Sequence, residues 1–193
     1  MKKQPVVSVC LIILINLLSC TVSANEHDYS TTEAPNLSGI ENRLRSLASR
    51  GTAEAHFELG LIHEYGRGVT KDDSVAISWY EKAADQLFPD ALYRLAILHD
   101  NGWGVSSDKE KALRLYKSAA EKGHVLAQHD VAVMYLHGIG TAKSLMQAYK
   151  WMKIAVMSGN PLMPKHLSKV TKEMSLDEIA VAEYLAQEWM ERF

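Results

Sequence analysis

Trp79-Tyr80-Glu81-Lys82-Ala83-Ala84 is echoed 36 residues later by Leu115-Tyr116-Lys117-Ser118-Ala119-Ala120, and again after another 36 by Trp151-Met152-Lys153-Ile154-Ala155-Val156. The landmarks before each copy keep the same register. They are Ala55, Leu59, Gly60, Gly66 and Gly68, then Ala91, Leu95, Ala96, Gly102 and Gly104, then Ala127, Val131, Ala132, Gly138 and Gly140. A period of this length, free of insertions, marks a solenoid in which each unit shelters its apolar face only against its neighbours. The expected fold class is all-α, an α-solenoid of helix-turn-helix units.

Each unit divides at its glycines. In the first, Ala55, Leu59, Ile62 and His63 share a helical face over about Thr52 to Tyr65, and Gly66-Arg67-Gly68 supplies the left-handed backbone that ends a helix. A second helix starts near Asp72-Asp73, acids suited to a helix N-terminus, and runs to about Gln86; Asp108 and Ser144 hold the same capping neighbourhood later. The small Ala55, Ala76, Ala83 and Ala84 let paired axes approach closely, while Trp79 and Tyr80 fill the space beside them. The units are placed at 52–87, 88–123 and 124–159.

Outside the units, 38–51 reads as the second helix of an incomplete leading repeat, since Ile40, Leu47 and Ala48 lie 36 residues before Ala76, Ala83 and Ala84. In 160–193, Pro161 and Pro164 break the pattern, a basic stretch from Lys165 to Lys172 follows, and Leu176 to Phe193 forms an amphipathic C-terminal capping helix with a charged outer face.

The first 19 residues have the layout of a secretory signal. Lys2 and Lys3 precede an almost wholly apolar run from Val6 to Leu18, too short for the roughly 20 residues of a spanning helix. Two cleavage sites compete. Leu17-Leu18-Ser19-Cys20 resembles a bacterial lipobox, which makes Cys20 a lipidation site and, with Thr21 following, implies the periplasmic side of the outer membrane. Val22-Ser23-Ala24 instead suits an ordinary signal peptidase and a soluble periplasmic or secreted product. Residues 20–37 are too polar to fold alone and read as a flexible tether. Beyond Cys10 and Cys20 there is no cysteine, so neither a disulfide nor a thiolate metal site is expected in the body. The formal charge of −2 becomes −4 without Lys2 and Lys3, which argues against a nucleic-acid partner.

Chemistry-bearing motifs are sparse. Gly66-Arg67-Gly68 follows a helix and repeats with the period, so it reads as a turn and not as a phosphate loop. Among the eight histidines, His63-Glu64 lacks the second histidine of a zinc helix, and His63 and His99 share a position that Tyr135 fills, a half-buried structural site. His129 and His137 could both face a groove, yet no carboxylate stands at clear ligand spacing, and no metal is assigned. The acidic residues all read as solvated faces or caps. No cofactor is expected, and no enzymatic activity.

The Leu59-Gly60 pair, the Gly66-x-Gly68-Val69 turn, the Asp72 to Ala76 helix start and Trp79-Tyr80-x-Lys82-Ala83-Ala84 together resemble the Sel1-like repeats, relatives of the tetratricopeptide repeats, over roughly Ser38 to Phe193. The chain departs from that pattern where Asn101 and His137 replace Tyr65, where Thr141 replaces the valine, and where Leu87-Phe88 stands at the later Gly123 and Gly159, a junction expected to alter local curvature. The resemblance implies a right-handed superhelix and an adaptor role: a scaffold in envelope complexes, a host-facing protein, or an immunity protein paired with a secreted toxin. It also carries an alternative, an envelope enzyme or peptidoglycan-fragment binder of β-lactamase-like character, although no Ser-x-x-Lys pair opens a helix in a catalytic setting.

By the same resemblance, the first helix of each unit lines a concave face that binds a protein partner. The residues projecting there are Glu54, Phe57, Leu61, Glu64 and Tyr65 in the first unit, and Asp90, Tyr93, Ile97, Asp100 and Asn101 in the second. In the third they are Leu126, His129, Val133, Leu136 and His137. Trp103, between two glycines in a turn, is the tryptophan expected to be exposed, whereas Trp79, Trp151 and Trp189 are expected in the core.

Overall fold

The computed structural model describes residues 37–161 and 163–192; the signal segment, Cys20 and the tether as far as residue 36 lie outside them. The described residues form helices α1 (Leu37–Ala48), α2 (Ala53–Tyr65), α3 (Asp73–Ala84), α4 (Pro89–Asn101), α5 (Lys109–Glu121), α6 (Val125–His137), α7 (Leu145–Met157), α8 (Met163–Val170) and α9 (Leu176–Arg192). A single 3-10 turn, Thr171–Glu173, precedes α9, and no strand occurs among the described residues.

Helices α2/α3, α4/α5 and α6/α7 pack as hairpins, and each second helix packs on the first helix of the next unit. The alanine positions make this possible. Ala76, Ala83, Ala91, Ala112, Ala119, Ala127, Ala148 and Ala155 are fully buried, so neighbouring helices meet with little side chain between them. The second helices start at side-chain caps: Asp72 accepts from the backbone N–H groups of Ser74 and Val75, Asp108 from Lys111, and Ser144 from Gln147.

Stacking between units depends on the second glycine of each turn. A Cβ on Gly104 would sit 2.7 Å from Asp73 Cβ, and one on Gly140 would sit 2.3 Å from the Lys109 carbonyl oxygen. The turn of each later unit therefore rests on the first residues of the preceding unit's second helix, and Ser74 Oγ donates to the Gly104 carbonyl at 3.3 Å across the first of these contacts.

At the junction of the first two units the backbone repeats that of the others. Leu87 takes φ 58°, the left-handed conformation that Gly51, Gly123 and Gly159 adopt at the corresponding places, so the turn is preserved and the side chain bears the strain. Leu87 is also half exposed and so gains little from burial. Replacing it with glycine should raise unfolding free energy by about 0.5–1 kcal/mol, the relief of strain exceeding the added unfolded-state entropy. A lower urea midpoint for Leu87→Gly would contradict this.

Beyond the third unit a helix with apolar residues in the 36-residue register follows the prolines. Met163, Leu167 and Val170 stand 36 residues after Ala127, Val131 and Met134, with Met163 and Val170 buried, and α8 packs on α7 as α4 packs on α3. It stands where the first helix of a further unit would, within the segment read as the C-terminal cap. Pro164 fits because it lies in the first turn, where its missing N–H is not needed. Helix α9 then packs on α7, burying Ala182 and Ala186 and setting Trp189 against Trp151 at a ring distance of 5.8 Å. Tyr149 and Lys153 both donate to Glu183, at 2.9 and 2.8 Å. The outer face of α9 carries acids, as expected, but also the exposed Leu176, Val181 and Tyr184.

Candidate functional site

The first helices α2, α4 and α6 are joined on one face by side chains that cross from unit to unit. Arg94 on α4 reaches Glu64 on α2, Nη1 to Oε1 at 3.4 Å, and its guanidinium lies 5.7 Å from the centre of the Tyr65 ring. Tyr93 on α4 donates its hydroxyl to Asp130 on α6 at 3.1 Å. These bridges fix the relative placement of the helices that would carry a docking surface.

Glu64 corrects the expectation that every acid is solvated. Its side chain is only 11% exposed and accepts a hydrogen bond from Tyr80 Oη, fully buried in the same hairpin, in addition to pairing with Arg94. Burial, and then the bond to Glu64, push the Tyr80 hydroxyl well above the ordinary phenol range; burial and Asp130 do the same to Tyr93. Both therefore remain neutral donors. Two acids, Glu64 and Asp130, and one cation, Arg94, are thereby held in defined geometry on this face.

Phe57 and Tyr93, two of the aromatics expected to project into the groove, are largely committed to packing. Phe57 lies half-buried between Tyr80 and Phe88, at ring distances of 5.6 and 5.3 Å, and Tyr93 stacks on His124 at 4.2 Å and against Tyr116 at 5.6 Å. Leu61 and Ile97 are also half-buried against the core. Asp100 accepts from Lys109 Nζ at 2.7 Å, Asn101 Nδ2 donates to the Ile97 carbonyl at 3.0 Å, and Asp90 lies 3.7 Å from His124 Nε2. The freer groups are Glu54, exposed at the start of α2, Tyr65, Trp103 and Leu126, the last three about half exposed, and His137.

In the third unit, His129 Nδ1 lies 2.8 Å from Asp130 Oδ1 and its ring faces that of His166 on α8, 6.1 Å away. No group of three or more His, Cys, Asp or Glu side chains among the described residues is placed to hold a metal ion. Val133, Leu136 and His137 instead line a cavity of about 380 Å³ shared with α7, α8 and the 3-10 turn. Sequence reasoning missed α8 as a wall of this face; the 36-residue register of Met163, Leu167 and Val170 was the signal that could have found it.

Histidine burial has a pH consequence. His99 is 4% exposed and neither ring nitrogen finds a hydrogen-bond partner, so desolvation, with Lys111 nearby, pulls its pKa below the ordinary value. Burial also lowers His124, whose Nδ1 must stay unprotonated to accept from the Ala127 N–H at 3.1 Å. Both rings protonate more readily in the unfolded chain. Stability is thus complete above the unfolded pKa of about 6.5 and declines as pH falls through it toward the lower folded values. Urea midpoints should drop between about pH 7.5 and pH 5, and His99→Leu should flatten that drop; an unchanged slope would contradict the assignment.

An array of stacked helical hairpins whose first helices are linked on one face by cross-unit contacts defines a repeat solenoid. A model of the Sel1 repeat matches residues 53–86, 89–124 and 125–160, and the chain belongs to the Sel1 repeat family, whose fold is a protein-interaction scaffold. Among solved structures, a Sel1 repeat protein from Oxalobacter formigenes is 26% identical with a TM-score of 0.61, over 68% of this chain and 56% of that one. The c5321 protein of uropathogenic Escherichia coli, a protective antigen with the same repeat fold, is 26% identical with a TM-score of 0.71, over 81% of this chain and 33% of that one. Cysteine-rich protein B of Helicobacter pylori shares the fold at 19% identity and a TM-score of 0.52, over 66% of this chain and 97% of that one. The chain thus spans little more than half of the Oxalobacter protein and a third of the Escherichia coli one. None of the curated proteins compared with it matches in sequence.

Proposed function

We propose that the protein is an exported scaffold on the periplasmic side of the outer membrane, anchored through Cys20 or released by cleavage after Ala24. Its first-helix face is the concave docking surface for another protein, which it holds as an adaptor or blocks as a stoichiometric inhibitor such as an immunity protein. The observation that carries this is the pair of cross-unit bridges, Glu64 with Arg94 and Tyr93 with Asp130, which link three helices on one face, with half-exposed Tyr65 at the end of α2 and half-exposed Trp103 in the turn that follows α4. A platform ordered beforehand loses less entropy on docking, and large aromatics at its surface are the side chains that dominate interface energy. The leader supports export.

The test is recovery of a partner from envelope extracts by the wild type and by a Tyr65→Ala, Trp103→Ala variant. Both side chains are about half exposed, so the variant should keep its helical content while losing about 2 kcal/mol or more of binding free energy. Full binding by the folded variant would contradict the assigned face. Cys20→Ala should release the protein from membranes if the cysteine is acylated.

A further inference from the structure

The cavity of the third unit lies where two repeat positions differ together from those of the earlier units. Where the first unit has Glu64 and Tyr80, and the second Asp100 and Tyr116, the third has Leu136 and Met152. Acid and phenol are both lost, leaving a space of about 380 Å³ over an apolar floor of Val133, Leu136, Met152 and Val170. The opposite wall holds the complement of what was removed. His166 lies 72 residues, two repeat lengths, after Arg94, the residue that pairs with Glu64, and its Nδ1 is buried without a hydrogen-bond partner. Lys169, at the position of Leu61, Ile97 and Val133, brings a cation to the same wall, with no ion-pair partner among the described residues.

We propose that this cavity receives the C-terminal carboxylate and last aliphatic side chain of a partner polypeptide, which supply from outside the acid and the apolar filling that the third unit lacks. The assignment rests on the protein-binding reading and deepens it. Charge balance favours a single negative charge: Lys143 on the rim is already paired, loosely at 3.9 Å, with Glu173, which leaves Lys169 as the uncompensated cation. A dianionic phosphate would meet Glu173 with only one free lysine. The volume lies at the small end of the roughly 300–1,000 Å³ of ligand pockets, suited to a chain end and not to a folded surface. Val133 and His137 belong both to the first-helix face and to this cavity, so a peptide lying along that face could end here.

Purified protein titrated with a fluorescein-labelled hexapeptide ending in leucine should bind it saturably. The same peptide with an amidated C-terminus should bind about tenfold or more weakly, the loss of a hydrogen bond to a charged group, and Lys169→Glu should weaken the free acid to a similar degree. Lys172→Glu, an exposed lysine outside the cavity, is the control expected to leave affinity unchanged. Leu136→Trp should block binding by filling the floor, and retained helicity distinguishes that from unfolding. Equal affinity for acid and amide, indifference to Lys169→Glu, or no binding of the leucine-ended peptide would overturn the assignment. Competition by N-acetyl-leucine as strong as by the hexapeptide would overturn it too, in favour of a small carboxylate. None of these failures touches the Tyr65 and Trp103 experiment, so a scaffold that binds its partner without this cavity would be recognised as such.

Discussion

Gly140→Ala is expected to lower unfolding free energy by about 3 kcal/mol or more, one of the largest losses available from a single added methyl group. Two costs coincide. The residue has φ 64°, where an L side chain is strained by about 1–2 kcal/mol, and its Cβ would stand 2.3 Å from the Lys109 carbonyl oxygen and 2.6 Å from the carbonyl carbon. That neighbour is backbone at the start of α5, so it cannot rotate aside, and the second and third units must part to make room. Gly123→Ala provides the comparison, since Gly123 has φ 86° but nothing within 4 Å of its would-be Cβ. It should lose only the backbone cost. Similar urea midpoints for the two variants would mean that the turn does not bear on the preceding unit.

The second large effect lies inside the first hairpin. Tyr80 is fully buried and holds Glu64, so Tyr80→Ala should cost about 3–5 kcal/mol through the cavity alone. Its ring rests on Gly60: a Cβ there would lie 2.3 Å from Cε1 and 2.4 Å from Cδ1. Gly60→Ala in the wild type should therefore destabilise by about 1–3 kcal/mol of overpacking, reduced by the helix preference of alanine. With Tyr80→Ala already present the ring is gone, only the preference remains, and the same change should stabilise by up to about 1 kcal/mol. The sign reversal is the signature of direct contact. Additive effects across the double-mutant cycle would deny it.

Much of this architecture is legible in the residues. The 36-residue period fixes the number of hairpins, the glycine pairs locate the turns, and Asp72, Asp108 and Ser144 cap the helices they were expected to start. Less is legible where contact depends on neighbouring units. Glu64 resembles any surface acid until Arg94, 30 residues on, and Tyr80 close over it, and periodicity says which positions repeat but not which polar positions meet. Phe57 and Tyr93 sit at positions open to either a groove or a junction, and the aromatic neighbours Phe88 and His124 draw them into packing. Helix α8 escaped because two prolines and a run of lysines outweighed three apolar residues in register. Leu87 escaped because a left-handed leucine is indistinguishable in sequence from an ordinary one.

Engagement of a protein partner by the proposed first-helix face is tested most directly by site-specific photo-cross-linking in living cells. A photoreactive residue placed at Tyr65, Trp103 or His137 should give a discrete adduct, whereas the same residue at Glu81 or Arg114, exposed on the second helices α3 and α5, should give none. Adducts confined to Glu81 and Arg114 would contradict the account.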